Sequence, residues 1–244
     1  MRSIVVIPAR FQSSRLPGKP LIDIAGETLI RRTYLRSTLA VPADDVYIAT
    51  DDERIAQHCR DTGMNYVMTS SDCLTGTDRV AEVATKIPAD IYINVQGDEP
   101  LCNPADIKVI LEAAGSHPGK VLNGYCPILD EEDFRSSAVP KTVVRPDGRL
   151  LYMSRGAVPT TKALGFTAAW RQVCIYAFPP EALKAFSAQT SKTRLESIED
   201  IEILRFLELG FDVQMLEMST ESIAVDHPHD VEKVLAALAA RGEA

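Results

Sequence analysis

No apolar stretch of the chain approaches the ~18 residues of a membrane span, and the run Ile4 to Ala9 is too short for a secretory signal. A cytoplasmic protein is expected. Positive charge is also in deficit: 26 Lys and Arg stand against 34 Asp and Glu, a net charge of −8, which argues against nucleic acid or an anionic membrane as a bulk partner. The five cysteines, Cys59, Cys73, Cys102, Cys126 and Cys174, are scattered and include no Cys-x-x-Cys pair, so reduced thiols are expected rather than disulfides or zinc ligands. Gly-x-Gly-x-x-Gly is absent, which removes the main support for a dinucleotide-binding fold. Repeats, low-complexity runs and Gly/Ser linkers are absent too. The 244 residues, 45% of them apolar, can therefore build one large α/β domain or one with a smaller appendage, with ample material for a core.

Against that acidic background the cations Arg10, Arg15 and Lys19 stand out, because they fall within ten residues of one another. They follow an apolar β-branched run, Ile4 to Ile7, that stops at Pro8, and Ser13, Ser14 and Gly18 lie between them. A buried strand thus delivers three mutually repelling charges to one point, and a polyanion with the charge and size of a triphosphate would neutralise them. The loop is not a P-loop, which needs Gly and Ser or Thr where Ser13 and Pro20 stand.

Further strands run to the same edge. Val46 to Thr50 reads as a strand followed by a helix capped by Asp51 or Asp52. Leu74 to Arg79 opens a helix that continues to Lys86; Gly76 permits close backbone approach and Thr77 can cap, with Asp78 beside it. Arg79 is not explained by capping, since a cation near a positive helix end needs an anionic partner. Asp90 to Val95 is a buried strand that leads into Gln96-Gly97-Asp98-Glu99-Pro100. In an open α/β sheet ligands bind beyond the carboxyl ends of the strands, so Gln96, Asp98 and Glu99 are expected beside Arg10 and Lys19. Carboxylates next to a phosphate clamp are the usual holders of Mg²⁺.

The remaining chain reads as a helix from Asn103 to Ser116 with Pro104 in its first turn, then strands at Val121 to Ile128 and Lys141 to Val144 around an acidic loop. A turn at Arg145 to Gly148 makes a hairpin with Arg149 to Met153. Thr160 to Ala169 is expected to be a flexible loop, Arg171 to Phe178 a strand, Leu195 to Arg205 one amphipathic helix, and Phe211 to Glu217 a strand. A last helix starts near Pro228 and Asp230, and hard phosphate-bound Mg²⁺ gives no reason to read His227 and His229 as metal ligands.

Several of these segments carry a resemblance. Arg10-x-x-Ser13-x-Arg15-x-Pro17-Gly18-Lys19, Gly76-Thr77-Asp78-Arg79, Gln96-Gly97-Asp98-Glu99-Pro100, Ser154-Arg155 with Val158-Pro159, and Val225-Asp226-x-Pro228-x-Asp230 resemble the motifs of the CMP-sugar synthetase family. The likeness is nearest to its 3-deoxy-manno-octulosonate (Kdo) cytidylyltransferases and spans residues 4 to about 238. It implies a nucleotide-diphospho-sugar transferase fold, Rossmann-like with a mixed sheet. One domain would span 1–244, and a small, mostly β extension at 120–180 would form a homodimer contact.

The activity implied is Mg²⁺-dependent transfer from CTP to an acidic 2-keto-3-deoxy sugar, giving a CMP-sugar and diphosphate for lipopolysaccharide or capsule synthesis. Arg10, Arg15 and Lys19 would hold the phosphates, Asp98 and Asp226 the magnesium, and Arg155 the sugar carboxylate. Pro8, Ala9, Ser13, Thr77, Asp78, Arg79, Gln96, Glu99, Tyr176 and Glu202 would complete the substrate site. The proton acceptor stays open between Asp98 and a metal-bound hydroxide. The chain departs from the family pattern at Gln172, Cys174 and Ile203, where His, Gly and Gln are usual and where the His and Gln lie against the sugar. A synthetase for a modified acidic sugar is therefore an alternative, as are a metal-dependent glycosyltransferase and a non-catalytic CTP-binding module.

Overall fold

The structure, a computed structural model, describes residues 1–13 and 16–243. Strand β1 (Ser3–Ala9) lies inside the main sheet, and its residues Ile4 to Ile7 are all fully buried. A strand apolar on both sides must be covered on both faces. After the short hairpin β2 (Asp23–Ile24) and β3 (Glu27–Thr28), the chain adds β4 (Val46–Thr50), β5 (Tyr66–Met68) and β6 (Ile91–Val95). β4 and β6 flank β1 in parallel, and β5 extends the sheet beyond β4. Next come β7 (Val121–Pro127), β8 (Lys141–Val144), β9 (Leu150–Ser154), β10 (Trp170–Phe178) and β11 (Val213–Glu217). β10 runs antiparallel between β6 and β7, and β11 lies parallel to β7 at the edge, so the sheet is mixed.

Helices cover both faces. On one side α1 (Leu29–Thr38), α2 (Glu53–Thr62) and α4 (Pro104–Ser116) bury Ile30, Tyr34, Ile55, Cys59, Ile107 and Ile110 against the strands. On the other, α3 (Gly76–Lys86), α6 (Pro180–Ser187) and α8 (Ile203–Glu208) bury Val80, Val83, Leu183, Phe186, Ile203 and Phe206. The last helix, α9 (Pro228–Arg241), joins a third cluster through Val234 and Leu238, with Ile24, Leu29 and Leu101. Within 120–180, β7 and β10 belong to the main sheet, while β8 and β9 branch from β10. The 130–135 segment, read from sequence as an acidic loop, forms the short helix α5 (Glu131–Arg135). Asp130 caps it at 2.8 Å, and Phe134 is buried beneath it in a small core with Ile128 and Ala169.

Two expectations about helices need correction. Thr75, not Thr77, caps α3, accepting the Asp78 N–H at 3.2 Å. The segment Leu195 to Arg205 is not one helix: α7 (Arg194–Glu199) and α8 are separated by Asp200 in the left-handed conformation, φ 52°. The apolar periodicity runs through the break, but Arg155 draws the Glu199 and Asp200 carbonyls out to its guanidinium. The two halves remain joined by a buried Arg205–Glu196 pair, 2.6 Å at both nitrogen–oxygen contacts, with the guanidinium stacked 3.6 Å from the Phe186 ring centroid.

β10 carries an irregularity that sequence patterning did not show. Its register with β7 shifts between Val173 and Tyr176. Asn123, fully buried on β7, donates its Nδ2 to the Val173 and Ile175 carbonyls at 3.0 Å each, and the Gln172 amide donates to Asn123 Oδ1 at 2.9 Å. The Asn123 amide thus satisfies two backbone carbonyls at the bulge and the Gln172 amide satisfies Asn123 in turn; left unpaired, these groups would cost the full desolvation penalty.

Candidate active site

The carboxyl ends of β1 and β6 and the amino end of α3 meet at one cavity of about 450 Å³. β1 supplies Pro8, Ala9 and Arg10, and β6 supplies Gln96, Gly97 and Asp98. Two glycines permit the approach. A Cβ on Gly97 would lie 2.6 Å from the Pro8 carbonyl oxygen and 3.0 Å from Ile30 Cδ1. One on Gly76 would press on Pro8 Cγ at 3.2 Å and the Gln96 amide at 3.3 Å. Side chains at either position would force the strand ends and the helix apart.

At the cavity wall Lys19 Nζ donates to Asp98 Oδ2 at 2.8 Å, to the Val225 carbonyl at 2.9 Å and to Asp226 Oδ1 at 3.2 Å. The chain brings these together from three places. Gly18, with φ 69°, turns the opening loop into a short helical turn at Lys19–Leu21. Asp98 leaves β6. Asp226 arrives on the segment before α9, which is tied down where Val225 N–H donates to the Asp98 carbonyl at 2.9 Å and Asp226 N–H donates to Asp230 at 3.1 Å. Burial pulls the Lys19 pKa down, but Asp98 and then Asp226 outweigh it, and the net shift is upward.

Two carboxylates and a carbonyl converging on one cation form a hard-oxygen donor set, and Asp98 and Asp226 could hold a divalent cation of the Mg²⁺ type. Among the described residues no group of three or more His, Cys, Asp or Glu gathers as a metal site.

The other expected residues divide between the cavity and its supports. Ser13, Arg79, Gln96 and Glu202 line it with Pro8, Ala9, Arg10, Lys19, Asp98 and Asp226. Arg15 lies outside the described residues. Arg10 is exposed and, among the described residues, makes no ion pair. The anionic partner that Arg79 needs is Asp51 at 3.0 Å, and Thr69 Oγ1 accepts a further bond at 2.7 Å. Glu202 accepts from the Gly76 and Thr77 N–H groups at 3.1 and 2.9 Å and from the Thr77 hydroxyl at 2.5 Å. Its carboxylate therefore sits at the positive end of α3. Burial raises the Glu202 pKa against those three donors.

Thr77, Asp78, Glu99, Arg155, Gln172, Tyr176 and Ile203 are not among the lining residues. Asp78 accepts from the buried Arg205 at 3.1 Å. Glu99 is 5% exposed and accepts the Ser222 hydroxyl; burial, with the charge of Asp98 second, pushes its pKa up to about 7. Gln172 serves the bulge, while Ile203 and Tyr176 belong to the core beneath α8. Arg155 directs Nε to the Glu199 carbonyl at 2.5 Å, Nη1 to that of Ser137 at 2.9 Å and Nη2 to that of Asp200 at 2.9 Å.

Sequence reasoning missed Cys73, Leu74, Lys192 and Asp200 on the cavity wall. One usable signal was the capping box of Thr193 and Glu196, which starts a helix immediately after Lys192.

The profile of the cytidylyltransferase family matches residues 4–219. The 3-deoxy-manno-octulosonate cytidylyltransferase of Protochlamydia amoebophila is 40% identical over 239 residues, 95% of this chain and 92% of that protein. The protein of the same name from Myxococcus xanthus is 41% identical over 246 residues, covering 99% and 98%. The solved structure of CMP:2-keto-3-deoxy-manno-octonic acid synthetase complexed with CTP superposes with a TM-score of 0.91 at 34% identity, covering 99% of this chain and all of that one. The chain belongs to the cytidylyltransferase family, among its 3-deoxy-manno-octulosonate members.

Proposed function

We propose that the protein catalyses CTP + Kdo → CMP-Kdo + diphosphate. The observation that carries the reading is the convergence of Lys19, Asp98 and Asp226 on one wall of a cavity also lined by Arg10, in a fold that superposes along its whole length on a synthetase complexed with CTP. The sugar's anomeric hydroxyl attacks the α-phosphorus, the bond to the diphosphate breaks, and the hydroxyl proton is released. Like charge on a tetra-anionic triphosphate is the main obstacle, so charge neutralisation and positioning do most of the work. Arg10 and Lys19 face the phosphates, and the β1 exit at Pro8 and Ala9 and the Gln96 amide offer hydrogen-bonding groups to the nucleoside.

Mg²⁺ is the cofactor in this reading. Asp98 and Asp226 would hold it, and it would neutralise charge across the phosphates. A homodimer is supported by the part of the chain that carries β8 and β9, where Leu129, Leu151, Leu164 and Trp170 leave apolar surface exposed. No helix among the described residues is long and apolar enough to cross a membrane, and we place the reaction in the cytoplasm, supplying lipopolysaccharide or capsule synthesis.

The test is diphosphate release from CTP, ATP, GTP and UTP with Kdo, each with and without Mg²⁺. Release confined to CTP, Kdo and Mg²⁺ together is expected. Equal release from all four nucleotides, or none from CTP, would refute the reading.

A further inference from the structure

The cations on the cavity wall do not have equal duties. Lys19 is held between Asp98 and Asp226, and Arg79 is 5% exposed and paired with Asp51. Arg10, on the cavity wall just past the end of β1, is given to the phosphates in the function proposed above. The fourth, Lys192, is engaged differently. Its ammonium pairs with Asp200, whose side chain is 71% exposed, and both line the cavity with Glu202. With Lys192 32% exposed and Asp200 71% exposed, the pair is open to water on the Asp200 side, where an ion pair contributes little. An incoming carboxylate can take the place of Asp200 at little cost.

The surrounding chain presents Lys192 in this way. Asp200 has φ 52° and ψ 48°, a conformation that Asp tolerates better than most side chains. The turn is fixed by Arg155, which binds the carbonyls of both Glu199 and Asp200, while Glu199 accepts the Arg155 N–H at 2.9 Å and the Ser154 hydroxyl at 2.7 Å. Three of its five guanidinium N–H groups donate to carbonyls and Arg155 is not among the lining residues, so its visible role is to shape the wall. Lys192 on that wall has a displaceable partner.

We propose that Lys192 is the residue that binds the carboxylate of the 2-keto-3-deoxy sugar acid, with Asp200 holding its ammonium until the substrate displaces it and Arg155 acting as a positioning residue for the turn. This assignment rests on the function proposed above and departs from the role the family resemblance gives to Arg155.

The experiment compares the wild type, Lys192→Ala, Lys192→Arg and Arg155→Ala in steady-state diphosphate release, with Kdo and with its C1 carboxamide. Lys192→Ala is expected to raise KM for Kdo about 10- to 100-fold, as for a lost charge-assisted hydrogen bond, while KM for CTP stays within about twofold. It should also handle acid and amide alike, whereas the wild type prefers the acid and Lys192→Arg restores much of that preference. A Kdo KM unchanged in Lys192→Ala, a matching rise in the CTP KM, or loss of acid preference in Arg155→Ala but not in Lys192→Ala would each overturn the assignment while leaving the function standing. A wild type inactive with every 2-keto-3-deoxy sugar acid would instead overturn the function, and this assignment with it.

Discussion

Lys19 Nζ lies 2.8 Å from Asp98 Oδ2, although the two residues are 79 positions apart in the chain. The contact joins the opening loop to the end of β6, and Asp226 closes on the same ammonium at 3.2 Å. One ammonium thus meets two carboxylates from distant parts of the chain at the cavity wall.

Asp98→Asn and Asp226→Asn are each expected to lower the turnover rate by at least ~10²-fold, since each removes anionic charge from the place where Mg²⁺ is proposed to bind. Folding should persist, because both groups border a cavity and neither belongs to an apolar cluster. Initial rates at saturating substrate over a range of Mg²⁺ concentrations, with a circular dichroism melt as control, decide this. Rates near the wild type in either variant contradict the metal assignment.

Lys19→Ala should weaken CTP more than CMP, because the distal phosphates carry the charge that the ammonium meets. Calorimetric titration of both nucleotides reads the difference. Equal losses would place Lys19 away from the triphosphate.

The Arg205–Glu196 pair offers a test of stability. Both side chains are fully buried, so Arg205→Met strands a carboxylate and should destabilise the fold by about 3–5 kcal/mol in urea unfolding. The double variant Arg205→Met, Glu196→Leu should recover much of that loss, since an uncharged pair incurs no stranded-charge penalty. A single variant as stable as the wild type would show that the pair does not brace α7 against α8.

Gln172 and Ile203 are expected to act on stability rather than on sugar binding. Gln172→Ala leaves Asn123 Oδ1 without its donor and should cost about 1–3 kcal/mol. Ile203→Gln buries an amide among Phe206, Phe178 and Leu204, with a loss of similar size. Unfolding midpoints and Kdo KM values separate the roles. An unchanged midpoint with an altered KM would return either residue to the sugar site.

Much of the architecture was legible because it rests on local rules. Ile4 to Ile7, Val46 to Thr50 and Ile91 to Val95 announce buried strands by unbroken apolar runs, and loops at their carboxyl ends mark the sheet edge where a ligand sits. Arg10, Lys19, Gln96 and Asp98 were found in that way, and they do converge. What sequence could not give depends on contacts between distant segments. The break at Asp200 follows from Arg155, 45 residues away in the chain, capturing its carbonyl. The roles of Gln172 and Asn123 follow from a bulge that no periodicity records. Lys192 is marked only by the capping box that follows it, and the folded wall alone shows that it faces the cavity. Adjacent acids were equally ambiguous: Asp98 faces the cavity, and Glu99 is buried against Ser222.

The most direct measurement is the identity of the product formed from CTP and Kdo in the presence of Mg²⁺, by mass and by ³¹P resonance. The account predicts one equivalent of diphosphate for each CMP-Kdo, with the α-phosphorus bonded to the anomeric oxygen. Free CMP without a sugar adduct, or CTP recovered intact while CMP-sugars are consumed as donors, would contradict it.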